Sequence, residues 1–241
     1  MSIDRLVPSI DRRLSGWVSL QSRLSRPTYN AHRSTITISR QFGCEGYPLA
    51  ETLQEALTTR TGEPWTVFDK ALIDRVSLET NLSERLLSNI GDTSRALDKL
   101  ASVIPGWRTH SDAYEILVRY IVRIAEEGNA IIVGRGGAVV TQHLPHCFHF
   151  RLEAPYEHRV GSIQQRLNVD QQEAERLVSE HQKGRERFLE DFLHCSISDS
   201  RFYHAVFNTS KNTLEGITRS ILDLLPTAGH ETPRKPQTVN P

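Results

Sequence analysis

Four consecutive apolar residues, Ala130-Ile131-Ile132-Val133, restrict the architecture of this chain more than any other feature. A strand with one face in water alternates polar and apolar residues. A strand without alternation is buried on both faces, as in a parallel sheet covered by helices on either side. Before the run lies Asp112 to Glu127, where Ala113, Ile116, Leu117, Tyr120, Ile121 and Ile124 share one helical face. Gly128 stops that helix, and Gly134-Arg135-Gly136-Gly137 follows the strand.

The rest of the chain repeats this alternation. Thr35 to Ile38, Trp65 to Phe68, Phe148 to Leu152 and Ala205 to Phe207 read as further strands. Helices are predicted over Pro48 to Arg60, Lys70 to Leu78, Leu82 to Ile90, Tyr156 to Leu167, Val169 to Leu193 and Thr213 to Leu225. Such a succession predicts an α/β fold, a parallel sheet flanked by helices, with ligands beyond the carboxyl ends of the strands. The predicted domain covers residues 34–225. Residues 1–33 form a polar N-terminal extension, with an amphipathic stretch from Ile10 to Leu24. Residues 226–241, with four prolines and few apolar groups, read as a disordered C-terminal tail.

Charge narrows the partners. Lys plus Arg number 29 and Asp plus Glu number 29, so no bulk field draws the chain to nucleic acid or to an anionic membrane, and neither is expected as a partner. Any anion site must come from clustered arginines. No apolar run reaches the roughly 18 to 20 residues that cross a bilayer, and the N-terminus lacks the pattern of a secretory signal. Cys44, Cys147 and Cys195 have neither disulfide nor metal spacing, which fits a cytoplasmic protein. His143, His146 and His149 recur every three residues, but Pro145 and the strand that follows keep them off one helical face, so no metal site is predicted there. Nothing in the sequence fixes an oligomeric state.

The first strand runs into Ser39-Arg40-Gln41-Phe42-Gly43-Cys44-Glu45-Gly46-Tyr47 and then a helix. A strand, a glycine-containing loop and a helix N-terminus make an anion cradle, because backbone N–H groups and the helix end all present positive charge. The pattern GxxxxGK[ST] is not met: no lysine follows Gly46, and no Ser or Thr is in place to hold Mg²⁺. Arg40 is the nearest cation available to replace the lysine.

Four blocks in order resemble the cytidylate kinase-like family, relatives of the P-loop nucleoside-monophosphate kinases. They are Ile36 to Gly43, Phe68-Asp69-Lys70-Ala71-Leu72-Ile73, Gly128 to Gly136, and Asn208-Thr209-Ser210. The resemblance implies a P-loop NMP-kinase-like sheet with a helical lid at about residues 156–200. It implies ATP as phosphoryl donor, a nucleoside monophosphate such as CMP or dCMP as acceptor, and Mg²⁺ as accompanying ion, without identifiable protein ligands for the metal. Carried over residue by residue, Ser39, Arg40, Gly43, Cys44 and Gly46 hold the donor phosphates. Asp69, Arg75 and Arg135 hold the acceptor. Arg185 and Arg187 neutralise the transferring group from the lid, the role that charge build-up on a phosphoryl demands. The chain also departs from the family pattern. Glu45 brings a carboxylate to the loop, Pro48 stands where a hydroxyl is usual, Gly136 replaces an aspartate, and Gln182 replaces another. These departures keep two alternatives open: a catalytically weak or inactive nucleotide-binding or regulatory module, and a kinase of another small acceptor.

Overall fold

The computed structural model describes residues 33–69 and 112–226. Its elements are β1 (Thr35–Arg40), α1 (Gly46–Thr61), β2 (Thr66–Phe68), α2 (Asp112–Glu127), β3 (Ala130–Val133), α3 (Gly137–Val140), β4 (Cys147–Glu153), α4 (Tyr156–Leu167), α5 (Gln171–Leu193), a 3₁₀ turn (Ser200–Phe202), β5 (Ala205–Asn208) and α6 (Leu214–Leu224). The helices predicted over 70–78 and 82–90, Arg75, the extension up to residue 32 and the tail from residue 227 lie outside the described residues.

The strands form one sheet in the order β2-β3-β1-β4-β5, and every neighbouring pair is parallel. β1 is central. After it the chain builds the β2–β3 side, then crosses to build the β4–β5 side. Connections diverge at the carboxyl ends of the central strands and leave a crevice there. The sheet register puts Ile36 beside Ile131 and Phe148.

Two cores cover the two faces. Ile36, Ile38, Ile131, Val133, Phe148 and Phe150 pack with α1 and α6. Ala130, Ile132 and Cys147 pack with α2, α3 and the end of α5, including Leu189 and Leu193. The unbroken apolar run in β3 is thus divided residue by residue between two layers. A third, smaller core lies apart: Val160, Ile163 and Leu167 of α4, Ala174, Leu177 and Val178 of α5, and one loop residue, Phe42. The two halves of α5 therefore serve different cores. Between them sits the exposed Gly184.

α1 begins at Gly46, two residues before the predicted start. Pro48 falls in its first turn, where backbone N–H groups have no intrahelical acceptor and a missing one costs nothing. α3 was not expected, since four residues carry no periodicity. β4 departs most from expectation. Beyond Cys147, its positions on the α2 side of the sheet are polar: His149 and Arg151 are buried, as are Thr35 and Thr37 beside them on β1. Each has a partner: Thr35 Oγ1 donates to Ala125 O (2.9 Å), Thr37 Oγ1 lies 2.9 Å from His149 Nδ1, and Arg151 Nη1 donates to Ile197 O (2.7 Å). No helix among the described residues is long and apolar enough to cross a membrane.

Candidate functional site

β1 ends at Arg40, and the chain turns back into α1 through a tightly braced loop. Gln41 N donates to Leu152 O (3.0 Å), and Gln41 Oε1 accepts from Ala154 N (3.0 Å). Cys44 N donates to Gln41 O (3.2 Å). Glu45, at φ −81° and ψ 59°, is the centre of an inverse γ-turn closed by Gly46 N to Cys44 O (2.9 Å). Phe42 N donates to Gln182 Oε1 on α5 (2.9 Å), and Phe42 O accepts from the buried Arg159 Nη1 (3.3 Å). The amides of Phe42, Cys44 and Gly46 are therefore engaged by protein acceptors. An open nest would turn them towards an anion.

What converges on the crevice is a set of guanidinium groups. The side chain of Arg40 runs across Gly46 to Gly134. Arg185 Nη1 donates to Arg40 O (3.2 Å), and its guanidinium lies 5.0 Å from the Phe42 ring centroid. The same ring stacks on His181 at 4.6 Å. Arg135 lies over the Phe188 ring at 5.3 Å and feels the charge of Arg40. It occupies the left-handed region (φ 55°) between Gly134 (φ 85°) and Gly136 (φ 70°). For a residue with a side chain that conformation costs about 1–2 kcal/mol. Glycines on either side allow the turn, and the turn sets Arg135 at the carboxyl end of β3.

The cluster's electrostatics favour an anion. The Arg40 guanidinium is pushed down to about 10, chiefly by burial; Asp69 opposes the shift and Arg135 adds to it. Burial, then the charge of Arg40, lowers Arg185 well below the ordinary arginine value. Asp69, buried just after β2, is the nearby carboxylate that moderates Arg40. Cationic groups held close together and partly out of water are stabilised by any anion between them. Glu45 does not fill that place. Its carboxylate turns outward, 3.6 Å from Arg166 Nε.

The remaining predicted positions fall into two groups. Ser39, Gly43 and Cys44 brace the loop. Ser39 Oγ lies 3.2 Å from the Tyr203 hydroxyl, which donates to Ile197 O (2.9 Å). Gly43, at φ 97°, abuts the backbone of Arg159. Cys44 is buried, accepts from Thr209 Oγ1 at 3.6 Å, and has its thiol pushed up by burial, the opposite of an activated nucleophile. Thr209 N in turn donates to Glu153 O (2.9 Å), so the Asn208-Thr209-Ser210 block buttresses the loop. Arg187 is not brought to the cluster. It is exposed, about 200° round the helix from Arg185.

Three residues packed around the loop were not singled out in the sequence: Phe42, His181 and Arg151. Arg151 is 2% exposed and lies 5.8 Å from the Tyr203 ring, which holds Ser39. An arginine inside the predicted strand Phe148 to Leu152 was the available signal.

Residues 35–211 match the cytidylate kinase-like family. The chain belongs to that family. A cytidylate kinase of Methanocaldococcus jannaschii is 26% identical over 110 residues, which is 45% of this chain and 62% of that protein, so less than two thirds of that relative's length is spanned. A crystal structure of an uncharacterized protein from Eubacterium ventriosum superposes with a TM-score of 0.62 at 19% identity, covering 79% of this chain and 97% of the other. This cytidylate kinase-like chain thus has the family's parallel sheet flanked by helices, with a loop whose amides are partly engaged and whose cations come from three separate elements.

Proposed function

We propose that this protein transfers the γ-phosphoryl group of ATP to a nucleoside monophosphate, CMP or dCMP. The observation that carries the reading is the convergence of Arg40, Arg135 and Arg185 at the carboxyl ends of β1 and β3, the place where an α/β sheet of this connectivity binds its ligand. In this reading the loop from Ser39 to Gly46 borders the donor phosphates. Asp69 and Arg135, with Arg75, receive the acceptor. Arg185, carried by the α4–α5 hairpin acting as lid, neutralises the equatorial oxygens of the group in flight. No side chain forms a covalent bond to phosphorus; alignment and charge neutralisation supply the rate.

The residues offer poor support for a protein-held Mg²⁺. Pro48 has no hydroxyl, Glu45 is paired with Arg166, and no group of three His, Cys, Asp or Glu side chains among the described residues could hold a metal. No step here is routed through the ion.

One observation favours a second reading, a nucleotide-binding or regulatory module without turnover. The amides of Phe42, Cys44 and Gly46 already have acceptors. A coupled assay for ADP, run with ATP, Mg²⁺ and each of CMP, dCMP, UMP and AMP, separates the readings. Turnover highest with the cytidine monophosphates supports the kinase. ADP formed equally with every acceptor sinks the cytidylate assignment. Nucleotide binding without ADP leaves the module.

A further inference from the structure

The loop lacks the lysine of GxxxxGK[ST]. No lysine follows its last glycine, Gly46, and the structure shows which cation lies beside that glycine instead. A Cβ built on Gly46 would lie 3.1 Å from both Cγ and Cδ of Arg40 and 3.5 Å from its Nε. A Cβ built on Gly134 would fall on Arg40 Nη1, with Cζ at 3.2 Å. The arginine stem therefore passes across Gly46, and its guanidinium rests against the turn that follows β3. Glycine at 46 leaves room for the stem, and glycine at 134 leaves room for the head. Asp69 and Arg135 lie within electrostatic reach of that head, and the Arg40 carbonyl receives Arg185.

We infer that Arg40 is the phosphate-gripping cation of this loop, placed before its glycines instead of after them, with Gly46 and Gly134 as the slot that seats it. The inference rests on the phosphoryl-transfer reading and deepens it. The relocation changes the chemistry. An ammonium is a point charge that can approach a bridging oxygen from many directions. A guanidinium is a planar fork that donates two parallel hydrogen bonds to two oxygens of one phosphate, and its slot fixes the plane of that fork. A lysine added at position 46 would press on the stem of Arg40, which must shift by a few tenths of an ångström to admit it, so the two cations compete for one space.

The test uses the full chain, titrated calorimetrically with ATP and, separately, with inorganic pyrophosphate, beside the ADP assay. Arg40→Met keeps the stem and removes the charge. It is expected to weaken both probes about tenfold to hundredfold, the loss of one charge-assisted pair. Gly46→Lys alone is expected to weaken binding and lower the melting temperature. Arg40→Ala combined with Gly46→Lys is expected to recover binding to within about tenfold of the parent, because the second cation then has the space. Should Arg40→Met fail to fold, Arg40→Gln takes its place. Parent-like affinity for both probes in the uncharged variant overturns the inference and leaves the kinase reading intact. Pyrophosphate binding that depends on Arg40, with no ADP formed, supports the inference and removes the kinase reading. A parent protein that binds neither probe removes both.

Discussion

Arg135 and Arg185 do different work, and kinetics separate them. Arg135 is built into a left-handed turn beside the sheet, and in the proposed reaction it would meet the acceptor before and after transfer. Arg135→Ala is expected to raise the acceptor KM about tenfold or more, as the loss of a charged hydrogen-bonding group predicts, with kcat little changed. Arg185 sits on α5 and in the proposed reaction would answer the charge that develops in flight, so Arg185→Met is expected to lower kcat about a hundredfold or more with KM nearly held. Initial-rate measurements on both variants check the split; the same pattern in both would remove the distinction. At this scale the sequence was partly legible. Arg40, Arg135 and Arg185 were named through family blocks, and all three meet. Arg187 was named by the same means, but two residues on a helix point in nearly opposite directions, a constraint that helical geometry alone supplies. Phe42 was not legible, because no local pattern tells an anchor for two side chains of another helix from an ordinary loop aromatic.

Among the elements, α5 is unusual in its divided packing. Ala174, Leu177 and Val178 belong to the hairpin core, Leu189 and Leu193 to the sheet core, and Gly184 stands between. A glycine in a helix interior weakens it by about 0.5–1 kcal/mol relative to alanine. Nothing lies within 4 Å of a Cβ added at Gly184, so packing does not require the glycine. Gly184→Ala is expected to raise stability by about 0.5–1 kcal/mol and to lower kcat by stiffening the helix at its junction. Thermal melting and turnover measured together test this; a stabilised variant with unchanged kcat would assign the glycine no part in motion. The helices themselves were easily read. α2 and α4 have the predicted limits because their apolar positions recur on one face between clear stops. The division of α5 between two cores was hidden, since one continuous amphipathic pattern serves both.

For the molecule as a whole, the polar seam between β1 and β4 governs the response to acid. His149 is buried, one ring nitrogen bonded to Thr37, the other (Nε2) with no hydrogen-bond partner among the described residues. Burial, with His204 and His143 nearby, pushes it down to about 3. Between that value and the unfolded histidine value near 6.5, the unfolded chain carries a proton that the folded chain rejects. Stability is therefore fully present above about pH 6.5 and falls as the pH drops, by up to about 1.4 kcal/mol per pH unit for this one proton. Urea midpoints from pH 4.5 to 7 should show the slope, and His149→Gln should flatten it; an unaltered slope in the variant would point to other groups. The sheet was legible as a whole because its apolar runs are unambiguous. The seam was not, because His149 and Arg151 sit in a strand whose other residues satisfy the apolar pattern. The junction at Gly184 has one further consequence under the proposed reaction. It lies between Gln182, which accepts from the Phe42 amide, and Arg185, which donates to the Arg40 carbonyl, so a bend there would release the amide while leaving the arginine with the sheet-packed half of the helix. Opening the crevice and uncapping a donor for an incoming anion would then be one movement.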